Sequence, residues 1–299
     1  MLDDVAHLEL AVRDLEASRA LYGEQLGLEE VASGTTPDGC DICLFAVGPS
    51  ILELRQAPAS ASGGVEKSAQ PPVVDHFALI VQDLQATYDT LNTRNIPFLG
   101  PPSATAIGHR NMQRALLAFE DPDGLHVQIS ETIDPRPHIE GRKTAKRRMA
   151  EAGAAGLFCG FDHISTYCLD FAPARAFFAK QLGLEEFFHS TAREAGERVQ
   201  AGFAQAAFAV GGTDIELATA PLDEPLSEGV IRQLSFWTLD LDTAARHLRD
   251  CDAQFTGPED WMPLGDLRGR ALVTRSPDAL DPNCRALSPH GVIVTTCPS

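Results

Sequence analysis

Basic residues are scarce in this 299-residue chain: 24 lysines and arginines stand against 42 aspartates and glutamates, a formal charge of −18. Binding a polyanion needs a basic face, so nucleic acid and anionic membranes are poor partners and a small-molecule substrate is the better expectation. Long apolar runs are missing as well. No stretch approaches the roughly 20 residues that span a bilayer. The seven cysteines are few, odd in number and scattered, which excludes a disulfide framework and suits a reducing compartment. The chain starts Met-Leu-Asp-Asp, acidic where a secretory signal carries basic residues, so a cytoplasmic location is expected. The single C-x-x-C, Cys40 and Cys43 in the strand-like "GCDICLFAVG", has no second pair and reads as two core thiols.

What the chain does contain is a repeat. "VAHLELAVRDLEASRALYGEQLGLEEV" at 5–31 returns without a gap as "FDHISTYCLDFAPARAFFAKQLGLEEF" at 161–187. A period near half the chain length points to duplicated domains, and 299 residues is enough for two. Each copy opens on a strand. In the first, His7, Glu9 and Ala11 share one face by alternation, and Leu8 and Leu10 take the other. Asp14 is placed as an N-cap, "LEASRALYGEQL" has helical spacing, and Gly27 is placed to stop the helix; His163 and Gly183 hold the matching places in the second copy. Further strands end in "SILELRQ" and "TDIELAT", which makes Glu53 and Glu216 equivalent. Past the Ser/Gly/Pro-rich "APASASGGVEKSAQPP", another strand and helix begin at "VVDHFALI".

The reading is therefore α+β, with four βαβββ modules at about 1–56, 72–131, 160–219 and 228–299. Two domains follow, 1–135 and 159–299, joined by the basic, Ala-rich segment 136–158, which reads as a solvated helical linker. Chain-order pairing of the modules, first with second and third with fourth, is the simpler expectation because adjacent units usually neighbour in space.

The "H-x-x-x-x-V-x-D-L-x-x-S-x-x-x-Y-x-x-x-L-G-L" opening and the "FEDPDGLHVQI" at 119–129 resemble the vicinal oxygen chelate superfamily, which includes glyoxalase I, methylmalonyl-CoA epimerase, extradiol dioxygenases and bleomycin-resistance proteins. The resemblance implies that paired modules form cupped, incomplete barrels holding a divalent metal, with two ligand positions from each module. Carried over in chain order, it implies His7, Glu53, His76 and Gln128 as the metal set in the first domain. The second domain offers His163, Glu216, Gln233 and Thr295, a degenerate set. The resemblance also leaves a second pairing open, since some fused members swap modules, first with fourth and second with third; this would instead join His76 and Gln128 to His163 and Glu216.

Gln128 departs from the glutamate usual in that family. Its amide oxygen can coordinate but cannot act as a base, so Glu53, the set's one carboxylate, is the expected catalytic base. Glu9 and Arg55 share the faces of His7 and Glu53; they can pair, or contact substrate, Arg55 by holding a carboxylate. His126 is read as a rim residue, and His109 falls in the loop "ATAIGHRNMQ". Three activities stay open: a glyoxalase- or epimerase-type isomerase or lyase using zinc, nickel, cobalt or manganese through an enediolate; an Fe(II) dioxygenase; and a metal-free binding protein, for which Tyr167, Phe236 and Trp237 are expected near the second cup that the resemblance implies. A homodimer is compatible with any of them.

Overall fold

The computed structural model describes residues 2–36, 39–58, 76–106, 113–132, 156–168, 171–191, 204–219, 231–238, 240–251, 260–264, 267–274 and 291–296. All four modules are βαβββ. The first holds β1 (Asp4–Ala11), α1 (Leu15–Arg19, continued by a π turn at Ala20–Gln25), β2 (Glu29–Thr35), β3 (Asp41–Val47) and β4 (Ser50–Gln56). The second holds β5 (His76–Ile80), α2 (Leu84–Asn92), β6 (Ser103–Ala106), β7 (Gln113–Glu120) and β8 (His126–Thr132). In the third are β9 (Gly160–Cys168), α3 (Phe171–Ala176 with a π turn at Phe177–Gln181), β10 (Glu185–Thr191), β11 (Ala204–Val210) and β12 (Thr213–Thr219). The fourth has β13 (Ile231–Thr238), α4 (Leu241–Asp250), β14 (Asp260–Leu264), β15 (Leu267–Thr274) and β16 (Gly291–Thr296).

Local chemistry accounts for the repeat. Asp14, Asp83 and Asp240 each cap a helix by accepting from the backbone N–H three residues on, which satisfies an otherwise orphaned donor. Gly27 and Gly183 end the two π turns at φ +80° and +66°, a region costly for residues with a Cβ. The repeated Gly-Leu-Glu-Glu then places Glu30 and Glu186 against Arg19 and Arg175 in matching bidentate pairs of 2.6–3.0 Å.

Strand pairing departs from the chain-order expectation. One sheet runs β14-β15-β16-β13-β1-β4-β3-β2, so the first module joins the fourth; the other runs β10-β11-β12-β9-β5-β8-β7-β6, joining the second and third. Each sheet is open and is stitched at its centre by an antiparallel pair, β1 with β13 and β5 with β9. Adjacent modules do neighbour in space, but through helices and turns. Tyr22 of α1 is fully buried, stacks on Phe77 of β5 at a 6.4 Å ring separation and donates to Asp121 at 3.0 Å. Arg13 reaches Asp123 at 2.6 Å and the Pro122 carbonyl at 2.9 Å. The "FEDPDGLHVQI" motif is therefore a clamp between the first and second modules, which leaves their sheet edges free to pair elsewhere. The linker 136–155, the Ser/Gly-rich connector 59–75 and His109 lie outside the described residues.

Asp121 sits at the centre of that clamp, accepting from the N–H groups of Asp123 and Leu125. Burial pushes its carboxyl up to about 6. The folded state therefore holds the Asp121 proton more tightly than the unfolded chain does. Stability from this group is fully present below the ordinary carboxylate range and is lost as pH rises through about 6. Urea unfolding of wild type and Asp121→Asn between pH 4 and 7 tests this. Relative to the variant, the wild type is expected to gain on the order of 3 kcal/mol as pH falls across that window; a flat difference would contradict it.

Alternation assigns each sheet a helix side and a polar side. Leu8, Leu10, Phe45, Leu52, Leu54 and Phe77 are essentially inaccessible and belong to one core cluster with Tyr22, Leu26, Phe177 and Phe178. Cys43 is in that core, where burial pushes its thiol up to about 12; with Cys40 it reads as packing. Among the described residues no helix is long and apolar enough to cross a membrane.

Candidate metal centre

The polar side of the second sheet is built around the β5–β9 seam. His76 lies opposite Ser165, and Ala78 opposite His163, so the two imidazoles meet diagonally on one face. Their Nε2 atoms are 3.0 Å apart and the rings stand at 85°. Glu216 of β12 is level with Ser165 and brings a carboxylate to the same face. The donor atoms of His76, His163 and Glu216 all lie within 4.8 Å of one another. His163 is 1 % exposed, while His76 and Glu216 are half-buried, so the cluster opens to solvent on one side. Gln128 of β8 is level with Ala78, two residue pairs along from His76 and therefore on the same face.

This donor set fits a divalent ion. Two nitrogens of a tetrahedral zinc site stand about 3.3 Å apart, so the two imidazoles need shift by only a few tenths of an ångström, with the Glu216 carboxylate drawing in from within 4.8 Å. Two imidazoles with one carboxylate suit zinc, cobalt, nickel, manganese or iron. Asp162 adds a carboxylate 2.8 Å from His163 Nδ1, behind the ring and away from the cluster.

The first sheet arranges its equivalents differently. His7 and Glu53 do not meet His76 and Gln128: the former pair is on this sheet and the latter on the other, so the chain-order metal set is not assembled. His7 Nε2 bonds Glu53 Oε2 at 2.9 Å, and Nδ1 meets Ser235 Oγ at 3.3 Å. All three residues are at most 5 % exposed. Arg55 approaches Glu53 Oε1 at 3.7 Å, and Glu9 lies level with Glu53 on the neighbouring strand. Among the described residues no third His, Cys, Asp or Glu donor joins His7 and Glu53 to complete a cluster like that of His76, His163 and Glu216. Gln233 lies level with Glu9 and Thr295 with Trp237; the side chains of Gln233, Thr295 and Tyr167 lie outside the described residues. Phe236 is fully buried, and Trp237 is half-buried. His126, half-exposed at the start of β8, sits 3.6 Å from Glu120.

Sequence reasoning passed over Asp162. A signal for it was present, since an Asp-His doublet occurs at 75–76 and at 162–163, where the other two modules have Ala6-His7 and Arg232-Gln233.

Residues 4–129 match the family model described as Glyoxalase/Bleomycin resistance protein/Dioxygenase superfamily. No curated protein matches the chain. Among solved structures, it is similar to a putative dioxygenase from Bacillus subtilis subsp. subtilis str. 168, with TM-score 0.62 and 16% identity over 100% of this chain and 86% of that one. It is also similar to glyoxalase I from Zea mays, with TM-score 0.58 and 14% identity over 98% of this chain and 91% of that one. At such identities the likeness is one of fold.

Proposed function

We propose, from the premise that this chain belongs to the glyoxalase/bleomycin resistance protein/dioxygenase superfamily, that it is a metal-dependent isomerase or lyase of the glyoxalase or epimerase kind. The observation that carries the reading is the convergence of His76, His163 and Glu216 within 4.8 Å on one face. His76 and His163 would hold a divalent ion through their Nε2 atoms, Glu216 through a carboxylate oxygen, with the Gln128 amide oxygen as a neutral fourth donor. Such an ion, when bound, supplies Lewis-acid polarisation of two adjacent substrate oxygens and stabilises the charge of an enediolate.

Swapped pairing moves the base. Glu53 is held by His7 on the other sheet, so Glu216, the carboxylate of the cluster, takes the proton-transfer role. One of its oxygens accepts the proton from the substrate carbon, exchanges it with solvent and delivers a proton to the neighbouring carbon. Room for a small oxygenated substrate comes from the flanking strands: Ala207 stands beside Glu216, and Ala118 beside Gln128.

A second reading has its own support. Two histidines with one carboxylate is also the donor set of non-haem Fe(II) oxygenases, so an Fe(II) dioxygenase is the alternative. The test loads metal-free protein with zinc, nickel, cobalt, manganese or Fe(II) and assays a panel of vicinal hydroxy-carbonyl compounds in D2O beside an oxygen electrode. Deuterium entering the product without oxygen uptake is expected. Oxygen uptake confined to Fe(II) selects the dioxygenase, and failure to bind any of these metals leaves the small-molecule binding protein.

A further inference from the structure

One strand irregularity recurs in both halves of the molecule with different side chains around it. Along the β5–β9 seam, Leu79 is opposite Phe161 and Ala78 is opposite His163, so Asp162 is an extra residue bulged out of register. A bulge re-aims the side chains around it. Here it turns Phe161 to the helix side, where its ring meets Phe77 at 5.8 Å, and keeps His163 on the polar side. Asp162, 0 % exposed, directs Oδ2 to His163 Nδ1 at 2.8 Å.

The first sheet has the same bulge with different chemistry. Val5 is opposite Phe236 and His7 opposite Ser235, so Ala6 is the extra residue. With no carboxylate behind it, His7 Nδ1 meets a serine hydroxyl and Nε2 closes onto Glu53. In the second sheet Ala78 holds the place of Ser235 and has no hydroxyl to offer.

We propose that Asp162 is the positioning residue of the metal centre, holding His163 as the Nδ1–H tautomer so that its Nε2 lone pair faces His76 and Glu216. This rests on the metal reading above for its consequence, though not for the tautomer itself. A buried carboxylate accepting from Nδ1–H fixes the ring's orientation and increases the donor strength of the opposite nitrogen. Metal ligands lose about 10–100-fold in affinity when such a partner is removed.

The test uses full-length, metal-free protein labelled with 15N-histidine, and zinc alone as the probe, titrated against a competing chelator. Wild type is expected to show His163 protonated at Nδ1. Asp162→Asn keeps an oxygen acceptor but drops the charge, so the tautomer should persist while zinc affinity falls about 10-fold. Asp162→Ala should populate the Nε2–H form and lower affinity about 100-fold. Circular dichroism establishes that each variant is folded, and the asparagine variant decides the matter if the alanine variant is not. Nε2-protonated His163 in the wild type, or zinc affinity unchanged in both variants, would overturn the proposal. Should wild type take no zinc, the metal reading falls, and the tautomer spectrum still decides the role of Asp162.

Discussion

His163→Ala is expected to weaken zinc binding by at least two orders of magnitude, whereas His7→Ala leaves it within about twofold. The two histidines occupy equivalent places in the repeat, so their positions in the sequence do not say which one meets a second imidazole. Geometry does. His163 offers Nε2 to a cluster containing a second imidazole and a carboxylate, and losing one of three strong donors removes most of the free energy of coordination. His7 Nε2 is already bonded to Glu53, so its loss costs a buried polar contact. That cost should appear as reduced stability, about 1–3 kcal/mol for the stranded Glu53 carboxylate. Chelator-competition titration reads the first effect and urea unfolding the second. Equal loss of zinc affinity in both variants would mean that the sheets do not divide the donors as described.

Gly48→Ala and Gly211→Ala should each destabilise the chain by about 3 kcal/mol or more, combining positive-φ strain with a steric overlap that backbone must relieve. Gly48 (φ +58°) opens the two-residue turn between β3 and β4, and a Cβ there would overlap the carbonyl of Cys159 at the entry to β9. Gly211 (φ +56°) opens the matching turn between β11 and β12, where a Cβ would overlap Asp3 and Asp4 at the entry to β1. The first and third modules thus interlock reciprocally, each hairpin seated on the other's first strand. Asp4, 5 % exposed, adds a contact to the Gly212 N–H at 3.4 Å. Gly124 provides the control: its φ is +83° but a Cβ would meet nothing within 4 Å, so Gly124→Ala should cost only about 1 kcal/mol. Similar losses at all three positions, measured by urea unfolding, would rule out the interlock.

Most of the fold was legible in the sequence because it is written in short-range chemistry. Alternation along "VAHLELAV", the capping Asp14 and the glycines after each first helix act within a few residues, and each operates as the pattern implied. Ligand residue types were legible too, since His76, His163 and Glu216 stand at three of the positions that the resemblance marked. Partnership was not. β1 bonds to β13 across more than 220 residues, and the preference for near neighbours is met instead by Tyr22 on Asp121 and Arg13 on Asp123. Asp162 was passed over because its role depends on a bulge, which is a property of paired strands and has no signature in one strand alone.

The central claim is that strands of the second and third modules assemble a single metal centre. Anomalous diffraction at the zinc absorption edge, from crystals of the zinc-loaded full-length protein, locates the ion without reference to activity. One peak within coordination distance of His76 Nε2, His163 Nε2 and a Glu216 carboxylate oxygen is the predicted result; a peak between His7 and Glu53, or none at either place, would contradict it.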